Sequence, residues 1–256
     1  MEASLPFSLS ATHNTRELGG YIAEAGKQTQ THRFLRSDAP VRLSETDLET
    51  LYLYGVRLVI DLRSEMETKK SPCSLKGYRD IRYTSVPLSD QINSREAGQS
   101  LPSSLGELYI RLLEESKDSF CLLFRTILQQ ESGCVLFHCT AGKDRTGTVS
   151  MLLLLLAGVR EETVVADYAA TEQYMPFWKD LHKQVCAQMG VDLPKGIFRS
   201  QPENMEQAIR HLKQVYGNVP VYLRAIGLTD MEIETLKARM LDPSEWSGTV
   251  EPVCLR

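Results

Sequence analysis

The stretch Gly133–Val159, GCVLFHCTAGKDRTGTVSMLLLLLAGV, constrains the fold more than any other part of the chain. CVLFHC is a short apolar run opened by a glycine, which is the pattern of a buried strand. It ends on Cys139. The glycine-containing segment Thr140–Gly147 follows, and then Val149–Val159, whose one polar residue is Ser150. A run that apolar reads as a helix buried on all sides, with a helix expected over Thr146–Gly158. It is far shorter than the ~20 residues a membrane span needs. A strand that feeds a tight loop and then a central helix is the unit from which α/β sheets are built.

The flanking sequence supplies the rest of such a sheet. VRLVIDLR (Val56–Arg63) follows Gly55 and reads as a second buried strand, and IRYTSVPL (Ile81–Leu88) alternates as a third. Ser44–Tyr54 reads as a short helix with Ser44 as N-cap and Asp47 three residues on. Leu105–Leu113 and Phe120–Gln130 carry helical periodicity, Ser89–Pro102 reads as a loop, and NTRELGGY (Asn14–Tyr21) as a turn between short extended pieces. Beyond the central helix the patterns are all helical. They cover Glu161–Met189, broken near Pro176, then Pro202–Tyr216 with proline near its first turn, and Thr229–Leu241 with Thr229 and Glu232 spaced as a capping box. The expected fold class is therefore α/β: a central, mostly parallel sheet flanked by helices, with an all-helical C-terminal third.

The chain has 256 residues, 42% of them hydrophobic, enough for one sizeable core, so residues 1–256 are expected to form a single catalytic domain. With a net charge of −4 and no basic stripe, a nucleic-acid partner is not expected. Cys73, Cys121, Cys134, Cys139, Cys186 and Cys254 are scattered, with neither metal-ligand spacing nor the look of a disulfide framework. The N-terminal MEASLPFSLSATHNT has no signal-peptide pattern. A cytoplasmic location with no integral membrane segment is the expectation, and export by another route stays open. Nothing in the sequence assigns an oligomeric state.

The chemistry lies in His138-Cys139-Thr140-Ala141-Gly142-Lys143-Asp144-Arg145-Thr146-Gly147. A loop between a strand and a helix N-terminus turns backbone N–H groups inward and adds the positive end of the helix dipole, so it is built for an anion. Thr140, Ala141, Gly142, Lys143, Asp144 and Arg145 are the expected substrate-binding residues. The same dipoles favour the thiolate of Cys139, the expected nucleophile. The planar fork of Arg145 suits two oxygens of a phosphoryl group and stabilises the charge they carry in the transition state. His138 is expected to orient the loop. Thr146 is expected to give its hydroxyl to the sulfur, and Gly142 and Gly147 allow tight turns. Cys134, five residues before Cys139 on a strand, should point to the opposite face.

At these residues the chain resembles the protein tyrosine phosphatase superfamily, whose mark is Cys, five residues, then Arg. HCTAGKDRTG is similar to the branch of bacterial and fungal tyrosine and lipid phosphatases that includes the mycobacterial tyrosine phosphatase B type. NTRELGGY, FLRSD, VIDLRS, ADYAAT and VYLRAIGLTDMEIETL look like that branch too, so the resemblance covers most of the chain. It implies a tyrosine phosphatase-like fold, a phosphocysteine intermediate, and neither cofactor nor metal. Two other readings of an anion-cradling cysteine are a phosphate-capturing module without turnover and a rhodanese-like sulfurtransferase.

A leaving alkoxide or phenolate needs a proton, and three aspartates are candidates for the acid. Asp144, ranked first, matches the position used in myotubularin-type enzymes. Asp61, second, stands at a strand end and matches the DLR aspartate of the resembling branch. Asp90, third, lies where dual-specificity phosphatases keep theirs. Lys143 either adds charge to the pocket, as in tensin-type phosphoinositide phosphatases, or balances Asp144. Arg36 and Arg63 are weak pocket candidates, each more readily a structural ion-pair partner. Phosphotyrosine proteins, phosphoserine or phosphothreonine proteins and phosphoinositides all remain open as substrates. The resembling branch covers its active site with helices at a position equivalent to 164–189, a possibility that rests here on Tyr174, Phe177 and Trp178; an aromatic stripe of this kind is more often core.

Overall fold

A computed structural model of the chain describes residues 7–88, 104–175, 183, 186–187 and 195–241. Five strands form one sheet in the order β1-β2-β5-β3-β4. They are β1 (Arg16–Glu17), β2 (Phe34–Ser37), β3 (Val56–Asp61), β4 (Arg82–Ser85) and β5 (Cys134–His138). Only the β1–β2 pair is antiparallel. The sheet is thus mostly parallel, as expected, with β5 at its centre and the C-terminal ends of β2, β3 and β5 side by side. Ser37, Asp61 and His138 are in register across those three strands. Ligand sites in open α/β sheets form beyond such ends.

The pleat decides what each face buries. On β5, Val135 and Phe137 join the larger core, while Cys134 and Leu136 join the smaller one on the other face. Cys139 belongs to the larger core, so Cys134 points away from it as expected. The smaller core is closed by α1 (Glu45–Leu53), which contributes Leu48 and Leu51 and starts in the anticipated Ser44–Asp47 capping box. The larger core is closed by helices. These are α3 (Leu105–Glu115), α4 (Lys117–Leu128), α5 (Asp144–Leu156), α6 (Glu161–Tyr174), α7 (Pro202–Tyr216), α8 (Val219–Ala225) and α9 (Asp230–Leu241). On α5 only Asp144 and Leu155 escape full burial; the apolar run from Met151 is buried as expected, and Arg145, Thr146, Thr148 and Ser150 are buried with it. Thr229 and Glu232 exchange the reciprocal capping bonds that start α9.

Two elements depart from the sequence reading. FLRS forms strand β2, all four residues buried, although half of it is polar. Arg36 is inside because it binds the Gly142 carbonyl and Asp167, and Ser37 because its hydroxyl pairs with that of Thr15, so no apolar pattern marks the strand. Helix α2 (Glu65–Lys70) begins directly after the DLR strand end, from a second capping box, Ser64 with Glu67. A helix this short has too few residues for a periodic signal, and its Ser-x-x-Glu start is the visible cue. Among the described residues no helix is long and apolar enough to cross a membrane.

Candidate active site

The loop from Cys139 to Asp144 joins β5 to α5. Its carbonyls are bound, one after another, by groups beneath it. The Thr140 carbonyl accepts from the Ala39 N–H at 3.1 Å. The Ala141 and Gly142 carbonyls accept from Asn14 Nδ2 at 2.9 and 3.1 Å. Gly142 O also accepts from Arg36 Nη2 at 2.8 Å, and Lys143 O from the Gly147 N–H at 2.8 Å. Planar trans peptides aim N–H opposite to C=O. Carbonyls held from below therefore direct the loop amides to the open side. Gly142 makes this turn possible: its φ is +64°, and a Cβ there would lie 2.5 Å from the Asp38 nitrogen.

A buried ionic scaffold fixes the supporting groups. Asp167 on α6 receives Arg16 Nε at 3.0 Å, the Arg36 guanidinium and the Tyr21 hydroxyl at 3.0 Å. Arg16 also binds the Asn14 side chain. Burial alone would raise the Asp167 carboxyl, but the two arginines hold it below the usual range. Two guanidiniums against one carboxylate leave positive charge under the loop. Asp38 takes the N–H groups of His13 and Asn14, both at 3.0 Å, and so fixes the segment that carries Asn14 ahead of β1.

Arg145, on the first turn of α5, is held by a carboxylate that the sequence reading did not single out. Glu67 accepts from Arg145 Nη1 at 2.8 Å and from Nη2 at 2.9 Å, a parallel two-bond fork. The Thr140 hydroxyl donates to Glu67 as well, at 2.5 Å. The Ser64 N–H, 2.9 Å away, ties Glu67 back to its own helix. Burial opposes the charged form of Glu67, yet the Arg145 fork, the Thr140 hydroxyl and the Ser64 amide together bring its carboxyl down to about 2. The cue in the sequence was the capping box; what it could not show was that N3 of α2 faces Arg145.

The chain matches the model of the tyrosine phosphatase family over residues 7–242. A tyrosine-protein phosphatase of Nostoc commune is 35% identical over 218 residues, spanning 81% of this chain and 74% of the relative. The chain belongs to the tyrosine phosphatase family. A second relative, the triple specificity protein phosphatase PtpB of Mycobacterium tuberculosis, is 24% identical over 86% of this chain and 95% of its own length. The solved structure of P. aeruginosa TpbA aligns with a TM-score of 0.37 and 14% identity, covering 79% of this chain and 91% of that one.

In this phosphatase the remaining expected residues fall into distinct places. Asp61 is fully buried, and its oxygens are engaged by Arg63 at 2.9 and 2.7 Å and by the Tyr83 hydroxyl at 2.9 Å. Burial is outweighed by Arg63 and His138, so its carboxyl lies below the ordinary range. The Arg63 N–H donates to it as well, at 3.0 Å, so this second-ranked acid candidate is a sealed carboxylate at the β3 end, held by four hydrogen bonds. His138 lies 3.5 Å from Asp61, and burial drives its imidazole down to about 4, so it is neutral near neutral pH. Asp144 is different: its side chain keeps 19% exposure at the start of α5. Lys143 Nζ bonds Asp144 Oδ1 at 2.9 Å and the Arg199 carbonyl at 3.1 Å, the charge-balancing arrangement. Arg36 and Arg63 are ion-paired inside the fold rather than lining the pocket. The Thr146 hydroxyl is fully buried and has no hydrogen-bond partner among the described residues.

Asp90, Phe177 and Trp178 lie outside the described residues. In α6, Val164, Val165, Tyr168 and Ala170 are buried, so this part of the 164–189 segment is core. Among the described residues no cluster of three or more His, Cys, Asp or Glu side chains is arranged to hold a metal ion.

Proposed function

We propose that this phosphatase hydrolyses phosphomonoesters through a phosphocysteine intermediate on Cys139, with phosphotyrosine proteins as its main substrates and activity extending to phosphoserine, phosphothreonine or phosphoinositides. The observation that carries the reading is the commitment of the loop carbonyls, from beneath, to Asn14, Arg36 and Ala39, which leaves the amides of Ala141, Gly142 and Lys143 on the open side to hold phosphoryl oxygens. Arg145 has five N–H groups, and Glu67 takes two of them in a fixed plane, which pre-orients the guanidinium. The thiolate attacks phosphorus in line with the ester oxygen. Asp144 protonates that oxygen as it leaves, and its carboxylate then takes a proton from the water that hydrolyses the phosphocysteine. Thr146 gives its hydroxyl to the departing sulfur. The family name and the triple-specificity name of the mycobacterial relative support this range of substrates. Cys73, Cys121, Cys134 and Cys139 are free thiols, which suits a reducing cytoplasm as the place of action.

The test is a substrate panel of phosphotyrosine peptides, phosphoserine peptides and mono-phosphorylated phosphoinositides, run with the unaltered protein and with Cys139→Ser. The expected result is release of phosphate from the phosphotyrosine peptides at the highest kcat/KM, and none from any substrate with the serine variant. Turnover that survives the serine substitution overturns the mechanism; phosphoinositide turnover above that of every peptide overturns the substrate order.

A further inference from the structure

We propose that Tyr109 is a positioning residue for Asp144: its phenol O–H fixes Oδ1 as an acceptor and so places the transferable proton on Oδ2. The inference rests on the reading of Asp144 as the general acid. Tyr109 comes from α3, is fully buried, and donates to Asp144 Oδ1 at 2.7 Å. Lys143 Nζ donates to the same oxygen at 2.9 Å. Oδ2 makes no hydrogen bond among the described residues. A proton on Oδ1 would collide with two donors already there, so a protonated Asp144 carries it on Oδ2.

The direction of the bond is decided by counting protons. A phenol has one. Tyr109 spends its proton on Asp144, so the 2.7 Å contact between the Tyr109 and Tyr168 oxygens must be donated by Tyr168. The chain Tyr168 to Tyr109 to Asp144 therefore runs one way. The two rings meet edge to face at 5.7 Å, and Tyr168 on α6 is as buried as Tyr109, so neither oxygen can swing aside. Burial, reinforced by the Asp144 charge, pushes both hydroxyls above the ordinary phenol range, which keeps them donors across the working pH. The charged and titratable groups around the carboxyl are Lys143 on the loop, Arg145 next in sequence, Tyr109 from α3, and Tyr168 from α6, with Arg36 of β2 acting on Tyr168.

A donor on Oδ1 stabilises the carboxylate over the acid. Removing it raises the pH at which Asp144 loses its proton. The readout is the basic limb of the kcat/KM profile for an aryl phosphate with a poor leaving group, which needs the acid most. Tyr109→Phe keeps the ring, and is expected to move that limb upward by about one pH unit. Limb position does not depend on how much protein is folded. 3-Fluorotyrosine at position 109, a stronger donor of nearly the same size, is expected to move the limb downward, and serves if the phenylalanine variant fails to fold. Asp144→Asn is the reference: it is expected to lose far more activity on the poor leaving group than on para-nitrophenyl phosphate. If Asp144→Asn loses the same on both, the assignment of the acid itself fails. If Asp144→Asn behaves as expected while the limb is unmoved by either change at position 109, or moves opposite to the stated direction, the role of Tyr109 is overturned and that of Asp144 stands.

Discussion

Glu67→Gln removes the charge that holds Arg145 and leaves almost everything else. Gln at N3 still serves a capping box, so α2 keeps its start. The Arg145 side chain is 2% exposed and that of Glu67 18%. A carboxyl moved from 4.5 to about 2 represents ~3 kcal/mol of preference for the charged form in the folded protein. Solvent reaches part of the Glu67 carboxylate and screens the pair, which reduces the net contribution to ~2 kcal/mol near neutral pH. The sign follows from the downward shift. The folded state binds the Glu67 proton more weakly than the unfolded chain, so this stability is complete above about pH 4.5 and is lost as pH falls toward 2. In urea unfolding near neutral pH, the variant is expected to be less stable by ~2 kcal/mol, and by about pH 3 the gap between the two proteins should have shrunk by more than half. Because Arg145 then samples other rotamers, kcat is expected to fall about 10- to 100-fold with KM changed less. A stability gap of equal size at both pH values would refute the argument, since it would mean that the Glu67 charge is not what Arg145 depends on.

Three further outcomes follow from the same contacts. Gly142→Ala places a Cβ 2.5 Å from the Asp38 nitrogen at a φ of +64°, so thermal unfolding should show a loss of ~2 kcal/mol or more, and phosphatase activity should fall with the distorted loop. Asp167→Asn leaves Arg16 and Arg36 buried without their shared counter-charge, and denaturant unfolding should register ~3 kcal/mol or more of destabilisation; an unchanged midpoint would show the scaffold to be dispensable. Thr146→Ala removes the hydroxyl proposed to help the sulfur leave, so stopped-flow assays with an aryl phosphate should show a larger burst followed by a slower steady state, whereas a proportional loss in both phases would place Thr146 elsewhere in the cycle.

Much of the site was legible because its parts are contiguous. Cys139, Gly142, Asp144, Arg145 and Thr146 sit on one strand–loop–helix, and the apolar pattern alone marks that unit as a buried strand feeding a central helix. The capping residues Ser44 and Thr229 are local signals of the same kind. Strand β2 was harder, since Arg36 and Ser37 are buried by their hydrogen bonds rather than by apolar character, and hydropathy has no symbol for a satisfied polar core.

The sequence by itself determined the α/β class and the Cys139–Arg145 loop in which the nucleophile and the phosphoryl-binding arginine are proposed, all properties of neighbours along the chain. Only the tertiary structure decided which carboxylates are sealed and which keep an open oxygen. Asp144 was ranked above Asp61 as the acid by resemblance alone; in the fold Asp61 is sealed against Arg63 and Tyr83, while Asp144 is left with an uncommitted oxygen. Glu67 reaches Arg145 across 78 residues and Asp167 reaches Arg16 across 151. Such pairings depend on burial and on distances of a few ångströms between elements remote in sequence, because the energy of a charge is set by its surroundings and not by its position along the chain.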